Sequence, residues 1–424
     1  MKAPAGALEA AGAADPMRPV PLSWSVRLGL CHLGLMLGWL TLIQIVLPEH
    51  AARVDPARKE SVLAVVLGIG ALVSTLSNPL FGALSDRTTS RFGRRRPWIA
   101  GGVLGGAAAI ALLGLQNTVI GLVVGWCLVH IGLNAAYAAT NAALPDQVPV
   151  AQRGRVAGLV AVGQSVGPLL GAAVVAVAVT GLVPGYLALA GLVLVLGLPF
   201  AFARGDVPID RAGREPFAWR SFLAGFWVSP RRHPDFAWAW ATRFLVMLSQ
   251  TLGTGYLLYY LRDEVRYEQV FPGHGAGEGL LILLVVGTVA GIVPSMLAGR
   301  YSDRTGRRRA VVCATSLVQA AAGALLMVAP TWPVVLLAAV LLGAGQGAYL
   351  AVDQALISDV LPRPDERGRD LGVINIANAG PQVLGPVIAA PLVTQLGGYP
   401  ALYGTAVALA SVAAILIWRI RGVR

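Results

Sequence analysis

The stretch Gly82-Ala-Leu-Ser-Asp86-Arg87-Thr88-Thr-Ser90-Arg91-Phe-Gly93-Arg94-Arg95-Arg96 decides the reading of this 424-residue chain, because it returns. At Gly299-Arg-Tyr-Ser-Asp303-Arg304-Thr-Gly306-Arg307-Arg308-Arg309 the same Gly-x-x-x-Asp-Arg again leads into a glycine and three arginines, with Asp303 lying 217 residues after Asp86. A second block repeats at offsets of 213 to 218. Asp146, Pro149, Arg153-Gly154, Gly158, Gln164 and Gly167-Pro168 recur as Asp359, Pro362, Arg367-Gly368, Gly372, Gln382 and Gly385-Pro386. Agreement in order, spacing and residue type across two blocks describes one half-chain written twice, the mark of a fold built from internal repeats.

The sequence around these blocks is apolar. At 56% hydrophobic and 13% charged residues, with mean hydropathy +0.68, the chain lacks the polar side chains to cover a soluble globule. At about 20 apolar residues per crossing, its length instead allows about a dozen membrane spans with short connections. Breaking at charged and Pro/Gly clusters places helices near 24–47, 61–84, 98–116, 118–144, 156–179, 181–202, 236–261, 279–299, 309–329, 332–358, 370–393 and 397–419. The expected fold is therefore all-α and polytopic, with 12 transmembrane helices in two pseudo-symmetric six-helix bundles. Residues 1–21 read as a flexible cytoplasmic tail, 22–202 as the N-terminal bundle, 203–235 as a cytoplasmic linker and 236–424 as the C-terminal bundle.

The net charge of +12 would suggest nucleic acid for a soluble protein. Here the cations sit in short loops between apolar runs, so the expected partner is the lipid bilayer and no nucleic acid. Of 33 Lys and Arg, 27 fall on the side holding both termini and the 203–235 linker. The other side has only Arg53, Arg58, Lys59, Arg262 and Arg266, and Arg243 lies inside a span. That asymmetry predicts a multi-pass protein of the cell membrane with both termini cytoplasmic. Cys31, Cys127 and Cys313 are too scattered for a disulfide framework or a metal site, and no metal or cofactor is expected.

Twelve spans in two related halves, with Gly-x-x-x-Asp-Arg and an arginine cluster after spans 2 and 8, resemble the major facilitator superfamily over essentially the whole chain. Within it, the loop from Asn78-Pro79 through Pro97-Trp98 is similar to the longer first loop of the glycoside-pentoside-hexuronide cation symporters and their sucrose/proton symporter relatives. Gly38-Trp39 and Gln44 through Pro48 resemble the sucrose-type branch. Sodium-coupled melibiose-type members carry carboxylates at positions matching Ser74 and Asn78. With neither residue charged here, the resemblance implies proton rather than sodium coupling. Gly163-x-x-x-Gly167-Pro168 in span 5 points another way, since it resembles the glycine-proline motif of drug/proton antiporters, although glycines at that spacing also let two membrane helices approach.

Polar residues within membrane spans are costly and generally face a cavity or the bundle interior. Span 4 carries Trp126, His130, Asn134, Tyr137 and Asn141 on one helical stripe. Span 10 carries Gln346, Tyr349 and Asp353, repeating Asn134, Tyr137 and Asn141 at an offset of 212, and span 11 adds Asn375, Asn378 and Gln382. Amides between aromatic faces suit a sugar, whose hydroxyls need paired donors and acceptors and whose C–H faces stack on rings. The alternative is that they only bond helix to helix. Asp353, the acidic residue deepest in any apolar run, is the candidate proton carrier, and Arg243 is its candidate partner. His32 and His130 are further titratable groups that equally suit packing. Gly82, Asp86, Arg87 and Arg94, with Gly299, Asp303, Arg304 and Arg307, read as gate residues: a carboxylate at a helix end can hold a neighbouring helix in one conformation and release it in another.

The expectation is a secondary transporter working by alternating access, with proton-coupled symport of a sucrose- or maltose-like sugar or glycoside energised by the proton gradient. The alternative is a proton-coupled exporter of a drug-like or metabolic small molecule. An enzyme is not expected, since no metal-ligand spacing, Gly-x-Ser-x-Gly elbow or phosphate-binding Gly-rich loop occurs. The expected unit is a monomer.

Overall fold

The computed structural model describes residues 19–179, 181–203, 206, 233–360 and 367–422, of which 354, 358–360 and 367–375 are described by backbone alone. The tail 1–21 and the linker 203–235 lie almost entirely outside the described residues, as does Pro362 of the second repeat block.

Twelve long helices occur among the described residues: α1 (Leu22–Val54), α2 (Lys59–Asp86), α3 (Arg96–Leu113), α4 (Val119–Gln147), α5 (Val150–Ala178), α6 (Leu182–Ala201), α7 (Pro234–Gly255), α8 (Ala276–Thr305), α9 (Arg308–Val328), α10 (Trp332–Val360), α11 (Arg367–Thr394) and α12 (Gly398–Leu416). Local chemistry sets their ends. Prolines near the starts of α3 and α7 fit a turn whose N–H groups have no intrahelical acceptor, and Thr118 caps α4 by accepting from Gly121 N–H at 3.0 Å. The start of α3 is capped from afar: Asp206 accepts from the N–H groups of Arg95 and Arg96 at 2.7 and 2.9 Å. Gly306, in the left-handed region at φ 66°, closes α8.

Eleven of these helices are long and apolar enough to cross a membrane. The other is α7, whose Thr242, Arg243, Ser249, Gln250 and Thr251 dilute its apolar surface. Thr242, Arg243 and Ser249 are buried within the protein. Helices α2, α4 and α8 run past the expected ends at 84, 144 and 299, so that Asp86, Asp146 and Asp303 lie on helical ends that project beyond the apolar stretch.

Packing repeats with the sequence. In the first half α1 lies against α5 and α6, α3 against α4 and α6, and α2 against α4. In the second half α7 lies against α11 and α12, α9 against α10 and α12, and α8 against α10. Small residues make the closest of these contacts. A Cβ on Gly163 or Gly167 would meet the α1 backbone at Gly29 and Leu33, so the glycine motif of span 5 seats α5 on α1.

The halves meet mainly along α2 and α11, and less extensively along α5 and α8. Polar contacts join them at the end opposite the arginine-rich loops. Lys59 Nζ donates to both carboxylate oxygens of Asp263 at 2.8 and 2.7 Å, and Tyr399 O–H donates to the same carboxylate at 2.8 Å. Tyr259 and Tyr256 O–H donate to the carbonyls of Pro48 and Glu60 at 2.8 and 3.1 Å, and Arg262 lies 3.8 Å from Glu49. Near this end α1 and α5 each contain a π-helical turn, Leu42–Val46 and Val174–Ala178. Such widened turns mark places where a helix departs from regular packing.

Candidate functional site

A cavity of about 240 Å³ lies between the halves. α1, α2 and α4 wall one side, with Trp39, Ser74, Asn78, His130, Asn134 and Tyr137 as the polar and aromatic lining; α11 walls the other with Asn378, Ala379 and Gln382. No lining residue carries a formal charge.

The first wall is a bonded assembly. Trp39 Nε1–H donates to His130 Nδ1 at 3.0 Å, which places the proton of the neutral imidazole on Nε2. Trp39 also meets Tyr137 edge to face at 5.6 Å, and His32 meets the same Tyr137 ring at 5.6 Å. Asn134 Nδ2–H donates to Ser74 Oγ and to the His130 carbonyl, both at 2.9 Å, and its carbonyl accepts from Asn78 Nδ2–H at 3.3 Å. Ser74 and Asn78 thus stand in the cavity wall as neutral donors and acceptors. Pro79 follows them and withholds the N–H that would pair with the Thr75 carbonyl.

The second wall backs onto a buried ion pair. Arg243 Nη1–H donates to Asp353 Oδ2, Tyr349 O–H donates to Asp353 Oδ1 at 2.8 Å, and Arg243 Nε–H donates to Asn378 Oδ1 at 2.7 Å. Arg243 and Asp353 are each 3% exposed. A buried carboxylate without its cation would be strongly disfavoured, so the pair is mutually required. The halves are parallel here too: His32 on α1 meets Gln164 on α5 at 3.3 Å, as Arg243 on α7 meets Asn378 on α11.

Several residues read from sequence as one lining stripe occupy different places. His130, Asn134, Tyr137, Asn378 and Gln382 line the cavity. Trp126 is fully buried behind His130, with ring centroids 4.4 Å apart and its indole against Gly70, and does not reach the cavity. The stripe winds around α4, so its ends leave the wall: Asn141 is exposed away from the cavity. Tyr349 is fully buried against Asp353, and Gln346 is outside the lining with its Oε1 buried and unpartnered. The side chain of Asn375 lies outside the described residues. Trp39, Ser74 and Asn78 join the wall, although the sequence marked them only as family-like positions. Their signal was polar or aromatic type within an apolar helix, facing the Asn134 stripe.

At the arginine-rich end of the first half, Arg95, 3% exposed, donates to Asp86, Ser85 and Asp146, and Arg94, one of the expected gate residues, donates to Asp146; Arg95 is not among those expected. Arg87 donates to the Ala83 carbonyl at 3.0 Å. In the second half Asp303, Arg304 and Arg307 are exposed, and Asp303 holds no ion pair among the described residues. Among the described residues, a Cβ on Gly82 would meet nothing within 4 Å, and one on Gly299 the Ala351 side chain at 4.0 Å.

A duplicated helical bundle with a neutral cavity between its halves is an arrangement found in membrane transporters of small-molecule solutes. The Major Facilitator Superfamily model matches residues 28–294 and 275–424, and the chain belongs to that family. Solved structures with this fold include nucleoside transporter NupG, at 13% identity and TM-score 0.68 over 95% of this chain and 98% of that one; a variant of NupG aligns at TM-score 0.74. The human organic anion transporter MFSD10 is similar at 19% identity and TM-score 0.61, covering 94% of this chain and 100% of that one. An uncharacterized symporter of Synechocystis sp. is 51% identical over 39 residues, which span 9% of this chain and 7% of that protein.

Proposed function

We propose that this protein is a proton-coupled symporter of a neutral sugar or glycoside in the cell membrane. Its termini and arginine-rich loops would face the cytoplasm, and the halves rock about the central cavity. One observation carries the reading: the cavity wall offers aromatic rings, amides and hydroxyls without a charge, one residue away from a buried Arg243–Asp353 pair. Uncharged donors and acceptors suit hydroxyls. An organic anion, the cargo named for MFSD10, would find no cation on this wall. The absence of a carboxylate at Ser74 and Asn78 disfavours a sodium site there. The glycines of span 5, which resemble the antiporter motif, serve packing on α1. Both walls come from one chain, so a monomer suffices. In this conformer the halves are joined at the proposed outer end, and among the described residues nothing packs closely on Gly82 or Gly299 at the proposed cytoplasmic end, as expected of surfaces that close against a neighbour in another state.

The test is external pH in lightly buffered cells expressing the protein, on addition of glucose, sucrose, maltose or uridine. Alkalinisation with a sugar, abolished in Asp353→Asn, is the expected result. Alkalinisation with uridine alone would move the cargo to nucleosides, the cargo named for NupG, and silence with all four would overturn proton-coupled uptake of these classes.

A further inference from the structure

Neither Arg243 nor Asp353 reaches the cavity, yet the pair has a neighbour that does. Asn378 lines the cavity and accepts from Arg243 Nε–H at 2.7 Å. Because a guanidinium N–H can only donate, Asn378 must turn its carbonyl oxygen to Arg243, and this fixes which end of the amide is the NH2 group. Among the described residues Asn378 is the side chain that belongs both to the cavity wall and to the ion-pair cluster. Gln382, one turn further along α11, lines the cavity without a hydrogen bond to Arg243 or Asp353, and the amides of the opposite wall bond among themselves.

We infer that Asn378 is the positioning residue through which an occupant of the cavity acts on the Arg243–Asp353 pair. A solute oxygen that accepts from the Asn378 amide pulls the side chain toward the cavity and loosens its carbonyl from Arg243 Nε. The carboxylate that Arg243 already holds is another acceptor for that N–H. A changed grip of Arg243 on Asp353 changes the hold of that carboxyl on a proton, which then passes to or from water. The geometry does not depend on which solute is carried; its meaning as coupling rests on the symport reading above.

The test is labelling of Asp353 by dicyclohexylcarbodiimide, which reacts with protonated carboxyls in apolar surroundings, in the purified full-length protein, read by peptide mass spectrometry. Without solute, Asn378→Ala should change the labelling rate about ten-fold or more, the scale of losing one hydrogen bond to a charged group, while Gln382→Ala labels like the wild type. Asn378→Ser, too short to reach Arg243, makes the same comparison should the alanine variant not be recovered. Sucrose, maltose or uridine, whichever the wild type transports, should alter wild-type labelling and leave the Asn378→Ala rate unmoved. Wild-type labelling in both Asn378 variants overturns the inference. If none of these solutes is transported by the wild type, the cargo reading fails while the solute-free comparison still decides the role of Asn378.

Discussion

At the scale of single residues, the buried polar side chains divide into those that hold the protein together and those that face the solute. Asp353 and Arg243 do the first by necessity: removing one partner leaves an uncompensated charge, at a cost of about 3–5 kcal/mol, whereas replacing both with apolar residues of similar size can be neutral or stabilising. Asp353→Leu should therefore lower the melting temperature in detergent more than the double variant Asp353→Leu, Arg243→Met. Equal melting points for the two would mean the pair is not energetically coupled. Trp39→Phe makes a different prediction. It deletes the donor to His130 but keeps a ring beside Tyr137, so stability should fall by about 0.5–1.5 kcal/mol while solute affinity drops and turnover is kept. Unchanged affinity would remove Trp39 from the solute-facing wall.

At the scale of helices, small residues determine which surfaces are permanently joined and which are free to part. Gly163 and Gly167 lie in contact with the α1 backbone, so Gly167→Leu should force α5 off α1 and reduce the yield of folded protein, read by size-exclusion chromatography. Gly82 has the same residue type and the opposite environment. With no described residue within 4 Å of a Cβ there, Gly82→Leu should leave the present conformer as stable as the wild type while hindering closure of that end. The expected outcome is normal folding, normal binding and slowed transport. Transport at the wild-type rate would show that no helix closes over this face. Arg95 acts at this scale too, since one guanidinium links the end of α2 through Asp86 with the end of α4 through Asp146.

At the scale of the whole molecule, the proposed alternating-access cycle makes the present arrangement one of two packings of the same halves, held by contacts at one end. Lys59–Asp263, with side chains 18% and 30% exposed, is partly screened, so its weight is about 1 kcal/mol at most. Lys59→Asp should shift the conformer ratio up to about five-fold toward opening at this end, and Lys59→Asp with Asp263→Lys should restore it, as spin-label distances across the outer loops would read. A distance distribution indifferent to both variants would leave the tyrosine contacts and α2–α11 packing as the sole latch.

The fold was legible in the sequence, because a bilayer imposes helices of fixed length and the duplicated Asp86 and Asp303 blocks fix the number of halves. Asp353 and Arg243 also stood out there, since a charge in an apolar run has few tolerable environments, and the structure pairs them. Which polar residues share a wall was visible only in the packed protein. Helical periodicity put Trp126 and Asn141 on the stripe of His130 and Asn134, but the rotation and length of α4 against α2 left only the middle of that stripe in the cavity. The repeat likewise could not reveal that Asp86 pairs with Arg95 while Asp303 holds no ion pair among the described residues, or that Lys59 and Asp263, 204 residues apart, join the halves. Those facts depend on how helices far apart in sequence stand against each other, which no pattern within one half encodes.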